Sequence, residues 1–174
     1  MTVYTPSEDT YFLRDYLREN IDLEDRKLLE IGAGNGEISV FAAENNAEVT
    51  ATDINRQALQ KIKSKADESG LEIETVESDL FSEINKEYDI IVFNPPYLPG
   101  EEGLGDEEIW RGGDTGVEVT ERFLSQVERY LEDNGRFYIV ASSLADHQSL
   151  IEDYGLEILD SEKLWFEKLF ILGK

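Results

Sequence analysis

Asn94-Pro95-Pro96-Tyr97 sets a primary amide, two locked prolines and a flat aromatic ring in four consecutive positions. The Asn94 oxygen accepts a hydrogen bond, and so does the backbone carbonyl of Pro95 beside it. Two such acceptors in fixed relation can grip both hydrogens of a planar NH2 group, with the ring of Tyr97 stacked on its plane. The tetrapeptide directly follows the apolar run Tyr88-Asp-Ile-Ile-Val-Phe93, which reads as a buried strand that the prolines stop. That places the amide where a strand's carboxyl end opens onto a crevice. Alone, a Pro-Pro loop after a strand is equally a rigid turn.

Other stretches bear on the choice. Lys27-Leu-Leu-Glu-Ile31 is a short strand followed by Gly32-Ala33-Gly34-Asn35-Gly36, and then by a segment in which Ile38, Phe41 and Ala42 share one helical face. Strand, glycine turn and helix form the context in which a backbone approaches a ligand closely. The spacing is GxGxG, not the GxGxxG of dinucleotide binders, and Glu30 precedes it. A carboxylate there repels a pyrophosphate but can hold an ammonium group. The expected ligand is therefore S-adenosylmethionine, with Glu30, Gly32 and Gly34 among its contacts. The strand over 48–52 ends in Asp53, 23 positions after Glu30, where a carboxylate accepts from both hydroxyls of a ribose. A third strand leads to Ser78-Asp79-Leu80-Phe81, which sets Asp79 to accept from an adenine amino group, with Leu80 and Phe81 near the ring. Each acid alone is equally a helix cap or a solvated loop charge. Three at successive strand ends, in step with a glycine turn, are not.

Together, Glu-Ile-Gly-Ala-Gly-Asn-Gly, Thr-Asp-Ile-Asn, Ser-Asp-Leu and Asn-Pro-Pro-Tyr resemble the class I S-adenosylmethionine-dependent methyltransferases that modify amino groups. Val3-Tyr-Thr-Pro-Ser-Glu-Asp-Thr10 resembles the amino-terminal motif of the HemK-like glutamine methyltransferases. Trp110-Arg-Gly-Gly-Asp-Thr-Gly116, with Arg122 and Phe123 beyond it, resembles their eukaryotic and archaeal branch. The resemblance implies methylation of the side-chain amide of the glutamine in the Gly-Gly-Gln motif of class-1 translation release factors. It implies Asn94, Pro95 and Tyr97 as catalytic residues, and Thr10, Glu30, Gly32, Gly34, Asp53, Asp79, Leu80 and Asn94 as cofactor contacts. From physics alone, a Thr in a first helical turn makes only local hydrogen bonds. The resemblance also implies a small zinc-binding activator subunit that adds a strand to the edge strand 72–77. Charge on such an edge is otherwise a guard against aggregation. Adenine amino-methyltransferases of nucleic acid share Asn-Pro-Pro-Tyr, and lysine is a further candidate substrate.

Composition bears on the substrate. Lys and Arg number 16 against 39 Asp and Glu, a formal charge of −23. Gripping phosphates needs a basic surface, so autonomous nucleic-acid binding is disfavoured. Glu101, Glu102, Asp106, Glu107 and Glu108 crowd the segment past Tyr97, where a basic protein would be attracted. Acids also pepper the predicted helices and the tail, so the total charge reads first as the dense surface carboxylate of a salt-loving host. There are no cysteines, hence no thiolate metal site, and no metal is expected. His147 is expected on the surface. No run is long enough for a membrane span and no signal sequence is apparent, so a cytoplasmic location is expected.

The elements that must position these residues alternate. A helix begins with Thr5 as its cap, Pro6 at its first position and Glu8 completing a capping box. Strands are expected over 27–31, 48–52, 72–77, 88–93 and 135–141, and helices over 36–44, 55–68, 116–132 and from 143. Strands near 155–160 and 164–172 form a terminal hairpin. The pattern implies a single α/β domain over 1–174, a Rossmann-like doubly wound sheet with helices on both faces. The resemblance implies seven strands in the order 3-2-1-4-5-7-6, with the last inserted strand antiparallel.

Overall fold

The computed structural model describes residues 8–96 and 117–174. Helix α1 (Glu8–Asn20) leads into β1 (Lys27–Ile31), α2 (Glu37–Glu44), β2 (Glu48–Asp53), α3 (Arg56–Ser69), β3 (Ile73–Glu77) and β4 (Tyr88–Phe93). There follow α4 (Glu118–Leu124), β5 (Leu131–Ser142), α5 (His147–Tyr154), β6 (Glu157–Lys163) and β7 (Lys168–Gly173). The seven strands form one sheet in the order β3-β2-β1-β4-β5-β7-β6, with β7 antiparallel to both its neighbours. The expected order holds. The expected cap of α1 lies outside the described residues.

Alternation along the strands divides the core in two. Leu28, Ile90, Val92, Tyr138, Val140, Leu169 and Ile171 face Phe12, Leu13 and Leu17 of α1 and Ile38 and Ala42 of α2. Their neighbours Leu29, Ile91, Phe93, Phe137, Ile139 and Leu172 pack instead with Phe123 of α4, Val127 and Leu150 of α5. Near-continuous apolar strands are what a sheet covered on both faces requires. Ala51, Leu59 and Ile62 seat α3 beside Ala33. Among the described residues no helix is long and apolar enough to cross a membrane.

Four expectations are corrected. The helix read over 116–132 ends at Leu124 and continues as a single 3-10 turn, Val127–Tyr130. The tighter winding sets Tyr130 flat on Phe81, with ring centroids 4.4 Å apart. Strand β5 starts at Leu131 rather than 135, because a bulge with Asn134 at φ 68° lets the chain pair with Tyr88 before the glycine. Residues 164–167 form a turn, not the start of β7. His147, expected on the surface within a helix from 143, is half-buried with its ring stacked on Phe170 at 4.5 Å, and itself begins α5, capped by Asp146.

Gly36 precedes α2 at φ 76°, and an added Cβ there would lie 2.6 Å from Ile62 Cγ1. Gly70 has a similar φ of 66° but no neighbour within 4 Å. Gly36→Ala is expected to destabilise the fold by about 1 kcal/mol or more beyond Gly70→Ala, which carries the left-handed strain alone. Urea unfolding of the two variants measures the difference, and equal losses would mean that Ile62 yields.

Candidate active site

Strand register brings the chemistry-bearing residues to one rim. Ile31 pairs with Phe93, so the turn beginning at Gly32 stands level with Asn94. Asp53 pairs with Glu77, so it stands two residues short of the level of Asp79. All lie at the carboxyl ends of parallel strands, where an open α/β sheet has its crevice.

The glycine turn is held by Asp53. Gly34 N–H donates to Asp53 Oδ2 at 2.8 Å, and Asn55 N–H donates to Oδ1 at 2.7 Å. Gly32 and Gly34 have φ of 62° and 54°, backbone that other residues adopt only under strain. Each Asp53 oxygen keeps a second lone pair for a ligand hydroxyl. The staple was not foreseen from the sequence.

Glu30 is buried, and Ser39 in α2 donates to its Oε2 through the hydroxyl. Burial pushes its carboxyl up to about 8, with further upward pressure from Asp53 and Glu37, while the hydroxyl and backbone N–H of Ser39 pull the other way. A cation placed beside Glu30 would offset that desolvation and draw off its proton. Ser39 was missed from the sequence. Its only signal was a small polar residue on the buried face of a helix that follows a glycine turn.

Asn94 is anchored from far along the chain. Its Nδ2 donates to Thr10 Oγ1 at 3.3 Å, and Thr10 itself is buried in the first turn of α1. Helix α1 is pinned over this end of the sheet by Arg14, whose Nη1 lies 2.7 Å from Glu37 Oε1 at the start of α2. With its nitrogen committed to Thr10, Asn94 has its Oδ1 buried without a hydrogen-bond partner among the described residues. Leaving a buried acceptor unpaired costs about 1–3 kcal/mol, a cost usually seen where a ligand supplies the donor. Thr10, read from physics as making only local bonds, therefore reaches across 84 positions.

The third acid stands apart from the others. Asp79 is exposed, and its Oδ2 pairs with Arg122 Nη2 of α4 at 2.8 Å, which leaves Oδ1 open to a second donor. Leu80, at φ 51°, is buried beside it. Phe81, expected beside the adenine ring, is fully buried. It lies in the core between Phe123 and Tyr130, because the positive φ of Leu80 turns the chain inward. Pro95 is buried next to Asn94. Tyr97, Trp110 and the glycines at 112, 113 and 116 lie outside the described residues.

The family described as "Methyltransferase small domain" matches residues 8–157. The Methanocaldococcus jannaschii protein MJ0928, whose name assigns protein N5-glutamine methyltransferase activity provisionally, is 34% identical over 98% of this chain and 90% of its own length. The eRF1 methyltransferase catalytic subunit mtq2 of Schizosaccharomyces pombe is 32% identical over 86% of this chain and 77% of its own. Among solved structures, the Thermus thermophilus 16S rRNA N2 G1207 methyltransferase superposes with a TM-score of 0.73 at 21% identity, over 98% of this chain and 44% of that one. That likeness concerns the fold.

The raised Glu30 carboxyl has a definite sign in stability. Its contribution is fully present below the unfolded value near 4.5 and is lost as pH rises toward about 8. Glu30→Gln removes the titration. The wild type is therefore expected to lose stability relative to Glu30→Gln by up to about 1.4 kcal/mol per pH unit across that window. Chemical unfolding of both at pH 5 and pH 8.5 tests this, and parallel pH profiles would contradict it.

Proposed function

The chain belongs to the methyltransferase small domain family, and on that premise we propose that it transfers a methyl group from S-adenosylmethionine to the side-chain amide nitrogen of the glutamine in a Gly-Gly-Gln motif of a class-1 translation release factor. The observation that carries this reading is the buried Asn94 Oδ1, held by Thr10 and lacking a donor among the described residues. A primary amide supplies the missing hydrogen. The relatives' names point to the same substrate class, and the charge of −23 argues against a nucleic-acid backbone.

The residues present fit the cofactor. Glu30 is a buried acid beside a glycine turn, suited to the ammonium group of the amino-acid moiety. The free lone pairs of Asp53 suit the ribose hydroxyls, and the open Oδ1 of Asp79 suits the adenine amino group, with Leu80 against the ring. Gly32 and Gly34 let the backbone come close. Bound there, S-adenosylmethionine supplies an electrophilic methyl on a sulfonium sulfur.

An amide nitrogen is a poor nucleophile because its lone pair is delocalised into the carbonyl. Asn94 Oδ1 and the Pro95 carbonyl each accept one of its hydrogens, which fixes the nitrogen and favours its pyramidal form. Tyr97, outside the described residues, is assigned by family resemblance the role of stacking on the amide plane. Orienting two reactants in this way can supply on the order of 7–11 kcal/mol of a barrier in the best cases. The methylated nitrogen then loses a proton to water, and no side chain is assigned as base. Thr10 serves by fixing which end of the Asn94 amide is offered to the substrate.

For the partner, we propose a small zinc-binding activator that pairs with β3. That strand is one of the two edges of the sheet, with Ile73, Thr75 and Val76 only half-buried. Glu74 and Glu77 are tied to Lys86 and Arg56, which lowers the charge a pairing strand would meet.

Mass spectrometry of the release factor after incubation with S-adenosylmethionine, with and without the activator, is expected to find one added methyl on the Gly-Gly-Gln glutamine. No methyl under either condition, with cofactor binding intact, would remove the proposal. Asn94→Ala is expected to lower turnover by about 10²-fold or more with cofactor affinity nearly unchanged. Thr10→Val should lower kcat by about tenfold, and Thr10→Ser should recover it, since only the hydroxyl is needed to hold the amide (a cost near 1.4 kcal/mol).

A further inference from the structure

The turn between β6 and β7 carries apolar side chains that folding does not use. Leu164 N–H donates to Glu167 O at 2.9 Å and closes a turn whose two central residues are Trp165 and Phe166. Hairpin tips favour Gly, Asn or Asp, so the backbone gains nothing from aromatics there. Trp165 is 101% exposed and Phe166 81%. Among the described residues the next most exposed large apolar side chain is Ile158, at 53%.

The position of this turn gives it meaning. Ser142, at the carboxyl end of β5, pairs with Leu169, and Ser143 N–H donates to Lys168 O at 2.8 Å. The turn therefore projects past the same rim of the sheet that carries Asn94. Between turn and helix lies a groove of about 620 Å³, lined by Glu8 of α1 together with Lys163, Leu164, Trp165, Phe166 and Glu167. Glu8 and Thr10 share the first turn of α1, and Thr10 holds Asn94. The first turn of α1 thus contributes to both the groove and the anchoring of Asn94.

We propose that the Trp165–Phe166 turn and this groove dock the protein substrate, taking a basic, extended stretch of its chain that flanks the methylated glutamine. This rests on the function proposed above. Charge selects the occupant: Glu8 and Glu167 line the groove against one base, Lys163, on a chain with 39 acidic and 16 basic residues. A second copy of this chain, also at −23, would be repelled. Exposed Trp and Phe rimmed by charge are the anchor type that dominates protein interfaces, and a polypeptide with Lys or Arg beside apolar residues satisfies both parts.

The test is steady-state methylation of the full-length release factor by the wild type and by the double variant Trp165→Ser, Phe166→Ser, with thermal unfolding, cofactor affinity and sedimentation of both. The expected result is a KM for the release factor raised about tenfold or more, kcat within about twofold, and unchanged melting temperature, cofactor affinity and mass. An unchanged KM would overturn the docking role. So would a fall of several degrees in melting temperature, which would mean that the chain's own residues cover the turn. A change in sedimenting mass would overturn it in favour of self-association. Failure of the wild type itself to methylate the release factor would overturn the functional reading and the docking role together, and it is read on the wild type alone.

Discussion

The parallel pairing of β1 with β4 is the constraint on which the site depends. It sets Ile31 opposite Phe93, so the glycine turn and Asn94 leave the sheet at one level. A slip of one residue would turn every side chain of β4 to the wrong face. The slip is prevented by burial on both sides, Ile90 and Val92 toward α1 and α2, Ile91 and Phe93 toward α4. The precision of the site is thus inherited from a buried register, not from the loops that display it.

Around that register the polar groups differ in how fully they are hydrogen-bonded. Asp53 is committed to two backbone donors, and so stiffens the turn that it also borders. The Asn94 amide is committed at its nitrogen and, among the described residues, unpaired at its oxygen. Glu30 is buried among acids with one serine for company, an arrangement that a bound cation would relieve. A buried unpaired acceptor and a buried acid each cost stability, the kind of local cost that clusters where a scaffold presents groups to a ligand. Helix α1 is central here: Arg14 pins it to Glu37, Thr10 orients Asn94, and Glu8 borders the hairpin groove.

The surface follows a different rule. Most ion pairs, such as Arg56 with Glu77 and Lys174 with Glu128, are exposed and contribute little each. With acids far in excess of bases, the outside acts as a field that repels like molecules and attracts basic ones. The exposed Trp165 and Phe166 interrupt that field where the rim carries chemistry.

Local pattern sufficed to locate the strands, though not the starts of β5 and β7, because buried strands are short apolar runs between turn residues, and the glycine turn and Asn-Pro-Pro mark where two of them end. The alternation implied a doubly wound sheet, and the order of its strands came from family resemblance. What the chain order could not convey was contact between residues far apart. Thr10 reads as a helix residue with local bonds until α1 is laid over β4. Ser39 reads as a helix serine until α2 returns against β1. Phe81 reads as a ligand neighbour until the left-handed Leu80 turns it toward Tyr130. The bulge at Asn134 and the 3-10 turn before it likewise answer to Tyr88 and Phe81, partners supplied from other parts of the chain. Residue type and spacing determined which atoms this protein has for its chemistry. Tertiary packing decided which of those atoms are already satisfied and which remain for a ligand, because a hydrogen bond is settled by proximity in space and not along the chain.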